Sequence, residues 1–202
     1  MKSAAYRKQN RKEKNVKELL NVIAAVLFIA GFVPYIYTVV RGSTKPSKAS
    51  WVIWASLDLL TAAAMFASGS LNGQIVGAVA GAWTVAILSL LYGERGWTSL
   101  DKICLLGGGI GIVLWLTMGS PIPAIITAMV VLAVGGIPTV VATWKDPRRE
   151  NRLAWTLFWL SCLCAVLAVP RWTLEDALQP INFAAFDTAM MGILLFRPRP
   201  TT

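Results

Sequence analysis

Apolar residues occur in long blocks along this chain, and short polar or basic connections separate the blocks. A membrane-spanning helix needs about 17–25 mostly apolar residues, and several of the blocks approach that length. Because the bilayer core offers the backbone no hydrogen-bonding partners, we expect these blocks to form helices rather than strands. The pattern predicts seven transmembrane helices, at Leu19–Val40, Trp51–Ser68, Gln74–Tyr92, Ile103–Met118, Ile122–Thr143, Leu153–Val169 and Ala177–Phe196.

A proline-containing segment of the first helix recurs in the fifth. The stretch GFVPYIYTVVRGSTKPSKASW aligns without a gap with GGIPTVVATWKDPRRENRLAW at a distance of 104 residues, so that Pro34 falls on Pro138 and Trp51 on Trp155. Each copy predicts a first helix with an internal proline, then a basic turn, a second helix that begins with a tryptophan, and a third helix. Three helices and one odd helix bring the chain back to its starting side, so the two repeats are expected to be parallel.

The predicted fold class is an all-α integral membrane protein, in which two parallel three-helix bundles are joined by a linker helix (3+1+3). The expected organisation is a basic N-terminal tail (1–18), a first repeat (19–92), the linker helix (103–118), a second repeat (122–196) and a C-terminal tail (197–202).

This arrangement resembles the SWEET, SemiSWEET and PQ-loop (MtN3/saliva) transporter superfamily, as a divergent prokaryotic-type member. The resemblance covers about residues 19–196 and depends on the proline and basic loop of each repeat. Pro138-Thr139 matches the Pro-Thr of plant SWEETs, and Gly42-Ser43-Thr44 approximates their Lys-Ser-Thr-like turn. Tyr35 and Thr139 replace the glutamine of the PQ dipeptide. The resemblance implies alternating-access transport of a small polar solute, such as a sugar or another small metabolite.

Composition and charge agree with a membrane protein. Of the 202 residues, 56% are hydrophobic and 14% are charged, whereas soluble domains carry about 25% charged residues. The lysines and arginines lie in tails, in loops or at the ends of helices, so the net charge of +9 reflects membrane topology. The expected partners are the lipid bilayer and a small-molecule solute, without nucleic acid. The sequence leaves open whether copies form a homo-oligomer.

Two aspartates stand inside apolar helices. Asp58 lies in the second helix and Asp187 in the seventh. A carboxylate in the bilayer core costs about 2.5–3.5 kcal/mol on insertion scales, so such residues are candidates for function. We predict that at least one of them faces a cavity between the repeats and binds a solute or takes up a proton. The alternative is a structural hydrogen bond between helices.

The resemblance implies further substrate-binding positions. SWEET pockets take polar residues from the second and sixth helices, at about the positions of Asp58 and Cys162. They also take an asparagine from the third and the seventh helix. Asn182 matches in the seventh helix, and Trp83 and Thr84 are the nearest candidates in the third.

Prolines and tryptophans each have two interpretations. Pro34 and Pro138 are candidate hinges for rocking motions, or static kinks that improve packing. The tryptophans that open the second and sixth helices are expected to lie at the membrane interface or to stack on a ring-shaped ligand; they are Trp51, Trp54, Trp155 and Trp159.

The sequence does not predict an enzyme. Histidine is absent, which removes the commonest general base and any Cys/His metal cluster. No catalytic residue, metal site or cofactor is expected. The alternative to a transporter is a non-transporting membrane receptor or scaffold of the same architecture.

Basic residues predict the orientation in the membrane. The loops after helices one, three and five, together with the C-terminal tail, hold eleven lysines and arginines, and the opposite loops hold only Arg171. This predicts a cytoplasmic C-terminus and an N-terminus outside, although the N-terminal tail is itself basic. The resemblance also implies an external N-terminus. The expected location is the cytoplasmic (inner) membrane.

Overall fold

The computed structural model describes residues 4–44, 46, 48–93 and 99–198, and in this part the chain is all-helical. It forms seven α-helices: α1 (Ala4–Val40), α2 (Lys48–Ala67), α3 (Gly73–Tyr92), α4 (Ser99–Met118), α5 (Ile122–Lys145), α6 (Arg152–Ala168) and α7 (Leu174–Phe196). One 3-10 turn, Pro147–Arg149, precedes α6. The seven predicted helices are therefore confirmed as helices.

The first helix is longer than its apolar block. It begins at Ala4, so the described part of the predicted tail continues α1 towards the N-terminus. Two ion pairs with i,i+4 spacing support this extension, Lys14–Glu18 at 3.7 Å and Lys17–Glu13 at 3.2 Å. Pairs at this spacing stabilise a helix even where no tertiary contact covers it, which hydropathy alone does not register.

Four of the helices are long and apolar enough to cross a membrane, and they are α1, α3, α5 and α7. The apolar stretches of the other three are shorter: Trp51–Ala67, Leu106–Met118 and Arg152–Ala168. The four long helices indicate a membrane protein.

The distribution of polarity agrees with a lipid environment. Large apolar side chains point outward along α1, among them Val22, Val26, Ile29, Val33 and Tyr37. Polar side chains are instead buried between helices, among them Asp58, Thr61, Gln74, Ser161, Gln179 and Asp187. A bilayer solvates apolar surface and penalises exposed polar groups, so this inverted arrangement suits lipid rather than water.

Helix contacts follow the same order in both halves of the chain. The third helix of each half packs against the first two, since α3 contacts α1 and α2, and α7 contacts α5 and α6. The halves meet through reciprocal pairs, α1 with α6 and α2 with α5. The remaining helix, α4, packs mainly against α5.

Two contacts recur at the 104-residue spacing of the sequence repeat. The Lys48 ammonium donates a hydrogen bond to the carbonyl of Leu90 at 2.7 Å, and the Arg152 guanidinium donates to the carbonyl of Leu194. Both carbonyls belong to the last turn of a third helix, where backbone acceptors lack intrahelical partners. A basic residue at the start of the second helix therefore stabilises the end of the third in each half.

Small residues allow α1 and α3 to approach closely. Gly73, Gly77 and Gly81 form one stripe of α3; Gly73 lies against the carbonyl of Asn21, and Gly81 lies against the ring of Phe32. Helices in membranes commonly pack through such stripes. In the second half the contact is reversed, because Gly136 of α5 lies against the ring of Phe186 of α7.

Candidate functional site

A cavity of about 80 Å³ lies where α1, α2, α3, α5, α6 and α7 meet. We call it the six-helix cavity. Eight aromatic rings and two carboxyl groups dominate its wall, which is formed by Phe28, Phe32, Trp51, Trp54, Asp58, Ala82, Leu132, Trp155, Phe158, Phe183, Phe186 and Asp187. Both aspartates singled out in the sequence thus line one cavity, each from a different half of the chain.

Asp58 is held in the second half of α2 and is only 5% exposed. Its Oδ1 atom is buried without a hydrogen-bond partner among the described residues. A buried polar atom that lacks a partner forfeits about 1–3 kcal/mol of solvation. The orphaned oxygen in the wall of a cavity is therefore a group that a bound molecule could satisfy.

Asp187 is equally buried but has a partner. Its Oδ2 atom accepts a hydrogen bond from the thiol of Cys162 on α6, with a sulfur–oxygen distance of 3.0 Å. The Cys162 sulfur in turn accepts from the side-chain amide of Gln74, at 3.1 Å. The second- and sixth-helix positions implied by the resemblance therefore both lie at this site, Asp58 in the wall and Cys162 directly behind Asp187.

Aromatic rings in mutual contact form most of the cavity wall. Phe158 touches Phe28 and Phe32, with ring centroids 4.9 Å apart in both pairs. Trp51 and Trp54 are 5.4 Å apart in an edge-to-face arrangement. Pairs of this kind add about 0.5–1.5 kcal/mol beyond the burial of their area, so the wall is well fixed.

A chain of hydrogen bonds through buried amides leads from the six-helix cavity towards a second, wider space. Gln179 donates to Gln74 at 3.1 Å and accepts from Asn72 at 2.8 Å. Gln74 and Gln179 are fully buried, and they join α3 to α7. We call these three side chains the amide layer. Through Gln74 and Cys162 the layer is hydrogen-bonded to Asp187.

The wider space, which we call the vestibule, measures about 550 Å³ and opens at the end of the molecule where α1 begins. Asn72 of the amide layer lies in its wall, with residues of the loops before α3 and α7. Arg171 binds the buried carboxylate of Asp176 here, at 2.8 Å. Those hydrogen bonds and the opposite charge of Asp176 raise the pKa of Arg171.

Three of the four predicted interface tryptophans lie in the cavity wall: Trp51, Trp54 and Trp155. The indole of Trp155 also donates to Glu150 at 2.9 Å. The fourth, Trp159, is partly buried and donates to the Thr188 hydroxyl at 3.0 Å.

The structure does not bring Trp83, Thr84 or Asn182 into the wall of the six-helix cavity. Ala82 is the residue of α3 that lines it, and each further residue turns about 100° around a helix. Trp83 and Thr84 are consequently exposed, and the Thr84 hydroxyl bonds to the carbonyl of Ala80. Asn182 instead donates to the carbonyl of Met129 at 3.3 Å, between α7 and α5.

The candidate hinges are only partly described. Pro34 lies within α1, and its carbonyl accepts a hydrogen bond from Asn151 at 3.3 Å. Helix α5 continues through position 138, but the side chain of Pro138 lies outside the described residues. A third proline, Pro180, is buried inside α7 beside the vestibule.

Sequence reasoning missed the amide layer and the phenylalanines of the cavity. Gln74 and Gln179 were visible as amides within apolar blocks, which is the same signal that singled out the aspartates. The phenylalanines gave no such signal, because they are indistinguishable from lipid-facing residues until the helices are packed.

Comparison with protein-family models, curated proteins and solved structures finds no match to this chain.

Proposed function

We propose that the protein is a membrane transporter that moves a small polar solute by alternating access between two three-helix bundles. In this proposal α1–α3 and α5–α7 are parallel repeats, and α4 links them across the membrane. The reciprocal contacts of α1 with α6 and of α2 with α5 support this arrangement, since a two-fold axis along the membrane normal would exchange the two pairs. The resemblance to SWEET and PQ-loop transporters belongs to the same proposal.

The six-helix cavity, with its two carboxyl groups and the unpartnered Oδ1 of Asp58, is the main support for this proposal. A solute held there would touch both bundles. In alternating access the bundles rock about such a site and expose it to one side at a time. Asp58 and Asp187 are the groups that we assign to solute binding.

The amide layer supports closure on the vestibule side. Its hydrogen bond between Gln179 and Gln74 connects α7 to α3, which belong to different bundles in this proposal. In this proposal that bond breaks when the solute passes between the vestibule and the six-helix cavity. Pro34 and Pro138 are the hinge candidates for the movement, and the N-terminus and vestibule face outward.

Solute flux tests the proposal against a receptor or scaffold. Purified protein is reconstituted into liposomes, and uptake of radiolabelled glucose, lysine and choline is compared with uptake by protein-free liposomes. A transporter gives saturable uptake of at least one solute, and Asp58→Asn changes that uptake at equal reconstitution. Solute binding to purified protein without flux would instead support a receptor.

A further inference from the structure

The chemistry of the six-helix cavity points to a particular class of solute. We propose that this cavity binds a small organic cation of the alkylated ammonium type, with Asp58 as counter-ion and the surrounding aromatic rings as a cage. This inference rests on the proposed function for the solute's passage across the membrane, but binding itself can be tested separately.

The charge of the cavity wall favours a cationic ligand. Among the described residues, those that line the cavity include two carboxyl groups and no lysine or arginine. A carboxylate removed from water needs a positive partner or several hydrogen-bond donors. Asp187 receives the Cys162 thiol, whereas Oδ1 of Asp58 receives no donor among the described residues. A cationic solute would supply the missing partner.

The rest of the cavity wall is mostly aromatic, which also suits a cation. Eight of the twelve lining residues are aromatic, and three of them are tryptophans. Aromatic rings attract cations through their negative faces, tryptophan most strongly, and aromatic cages are a recurring means of binding quaternary ammonium groups. A sugar would require many hydrogen-bonding groups, but apart from indole nitrogens the described side chains that line the cavity offer only the two carboxyl groups.

The two carboxyl groups of the cavity differ in their hydrogen-bond partners. In the second half of the chain, position 162 carries the thiol that bonds to Asp187; its counterpart at the 104-residue spacing is Asp58. The two carboxyl groups therefore stand at non-equivalent positions: Asp187 has the Cys162 thiol as a partner, whereas Oδ1 of Asp58 has none among the described residues. This assigns the cation to Asp58 rather than to Asp187.

Binding is tested with a charged probe and its neutral isostere. Choline and 3,3-dimethylbutan-1-ol have nearly the same shape, but only choline carries a positive charge. Each is titrated into purified protein at constant ionic strength, and tryptophan fluorescence reports occupancy because Trp51, Trp54 and Trp155 line the cavity. We expect saturable quenching by choline and at least tenfold weaker binding of the isostere. Equal affinity for the two probes would overturn the proposal.

Two variants locate the interaction. Asp58→Asn keeps the shape but removes the charge, and we expect it to weaken choline binding about tenfold or more, since losing one ion pair of about 1.4 kcal/mol has that effect. Asp146→Asn, in the exposed loop before α6, removes the same charge away from the cavity and is expected to leave binding unchanged. If both variants bind choline equally, Asp58 is not the counter-ion.

The cage is tested by Trp54→Phe and Trp54→Leu. Affinity for choline is expected to fall in the order Trp, Phe, Leu, because leucine lacks a ring face, while any binding of the neutral isostere stays constant. A phenylalanine variant no better than the leucine variant contradicts the cage. Flux is measured independently in proteoliposomes. Choline binding without flux of any solute supports this inference and contradicts transport. Flux of other solutes without choline binding supports transport and contradicts this inference.

Discussion

At the scale of single residues, Cys162 connects the amide layer to the six-helix cavity. Its thiol donates to Asp187 and its sulfur accepts from Gln74, and the side chain is fully buried. Loss of the sulfur would leave a buried carboxylate and a buried amide each short of a partner. The thiol is therefore a polar bridge rather than an apolar core residue.

We predict that Cys162→Ala lowers the free energy of unfolding by about 1–3 kcal/mol, the usual cost of orphaning a buried polar group. Cys162→Ser keeps a donor and an acceptor, so it should lose less. The measurement is the unfolding midpoint of detergent-solubilised protein. Cys164→Ala, two residues further along α6 and partly exposed, is the control and should change little. Equal losses for alanine and serine at position 162 would contradict the bridge.

At the scale of helices, the amide layer is the polar contact between α3 and α7. Gln74→Leu and Gln179→Leu should each destabilise the fold, because each leaves the other amide with fewer partners. We expect the double variant to lose less than the sum of the single variants, with a coupling of about 0.5–3 kcal/mol. Unfolding midpoints of the four proteins give this coupling, and Gln9→Leu on the exposed part of α1 is the control. Strict additivity would mean that the two amides do not act together.

The glycine contacts of the two halves show how an approximate repeat keeps its packing. Phe32 of α1 meets Gly81 of α3, whereas Gly136 of α5 meets Phe186 of α7. Position 136 is the counterpart of position 32 at the 104-residue spacing. The large residue stands on the first helix in one half and on the third helix in the other, and both of these phenylalanines, Phe32 and Phe186, line the cavity wall.

We expect Gly81→Ala and Gly136→Ala to destabilise the protein by about 1–3 kcal/mol, because the added methyl group overlaps a packed ring. Gly192→Ala is the matched control, since a methyl group at position 192 of α7 meets open space. There alanine should be neutral or stabilising by up to about 1 kcal/mol, as its helix propensity is higher. Unfolding midpoints compare the three, and a control as damaged as the packed sites would refute the packing argument.

The sequence predicted what depends on local pattern. Blocks of apolar residues defined seven helices, and the end of α1 at Val40 agrees with its block. The start of α1 was missed because ion pairs rather than hydropathy extend it. Asp58 and Asp187 could be found because a carboxylate in an apolar helix raises the free energy of membrane insertion, whichever way that side of the helix faces. Trp83 could not be judged, because its contribution depends on which side of α3 faces the neighbouring helices.

At the scale of the whole molecule, the two ends differ in how their basic residues are used. At the end opposite the vestibule, lysine and arginine side chains donate to carbonyls at the ends of helices, as Lys48 does to Leu90 and Arg197 does to Trp144 at 3.2 Å. Cations near helix C-termini are favourable. The basic loops therefore serve both the fold and the expected cytoplasmic orientation.

We expect the positive charge of these loops to outweigh that of the N-terminal segment and to set the orientation. We predict that alkaline phosphatase fused after Thr202 is inactive, because the enzyme folds only outside the cytoplasm, and that a green fluorescent protein at the same place is bright. Replacing Arg41, Lys145 and Arg148 by glutamine should raise the phosphatase activity by weakening the positive-inside signal. Replacing Lys8, Arg11 and Lys12 removes the same charge from the N-terminal part of α1 and should not raise it. An active phosphatase on the unaltered chain would show that the predicted orientation is wrong and that the vestibule faces the cytoplasm.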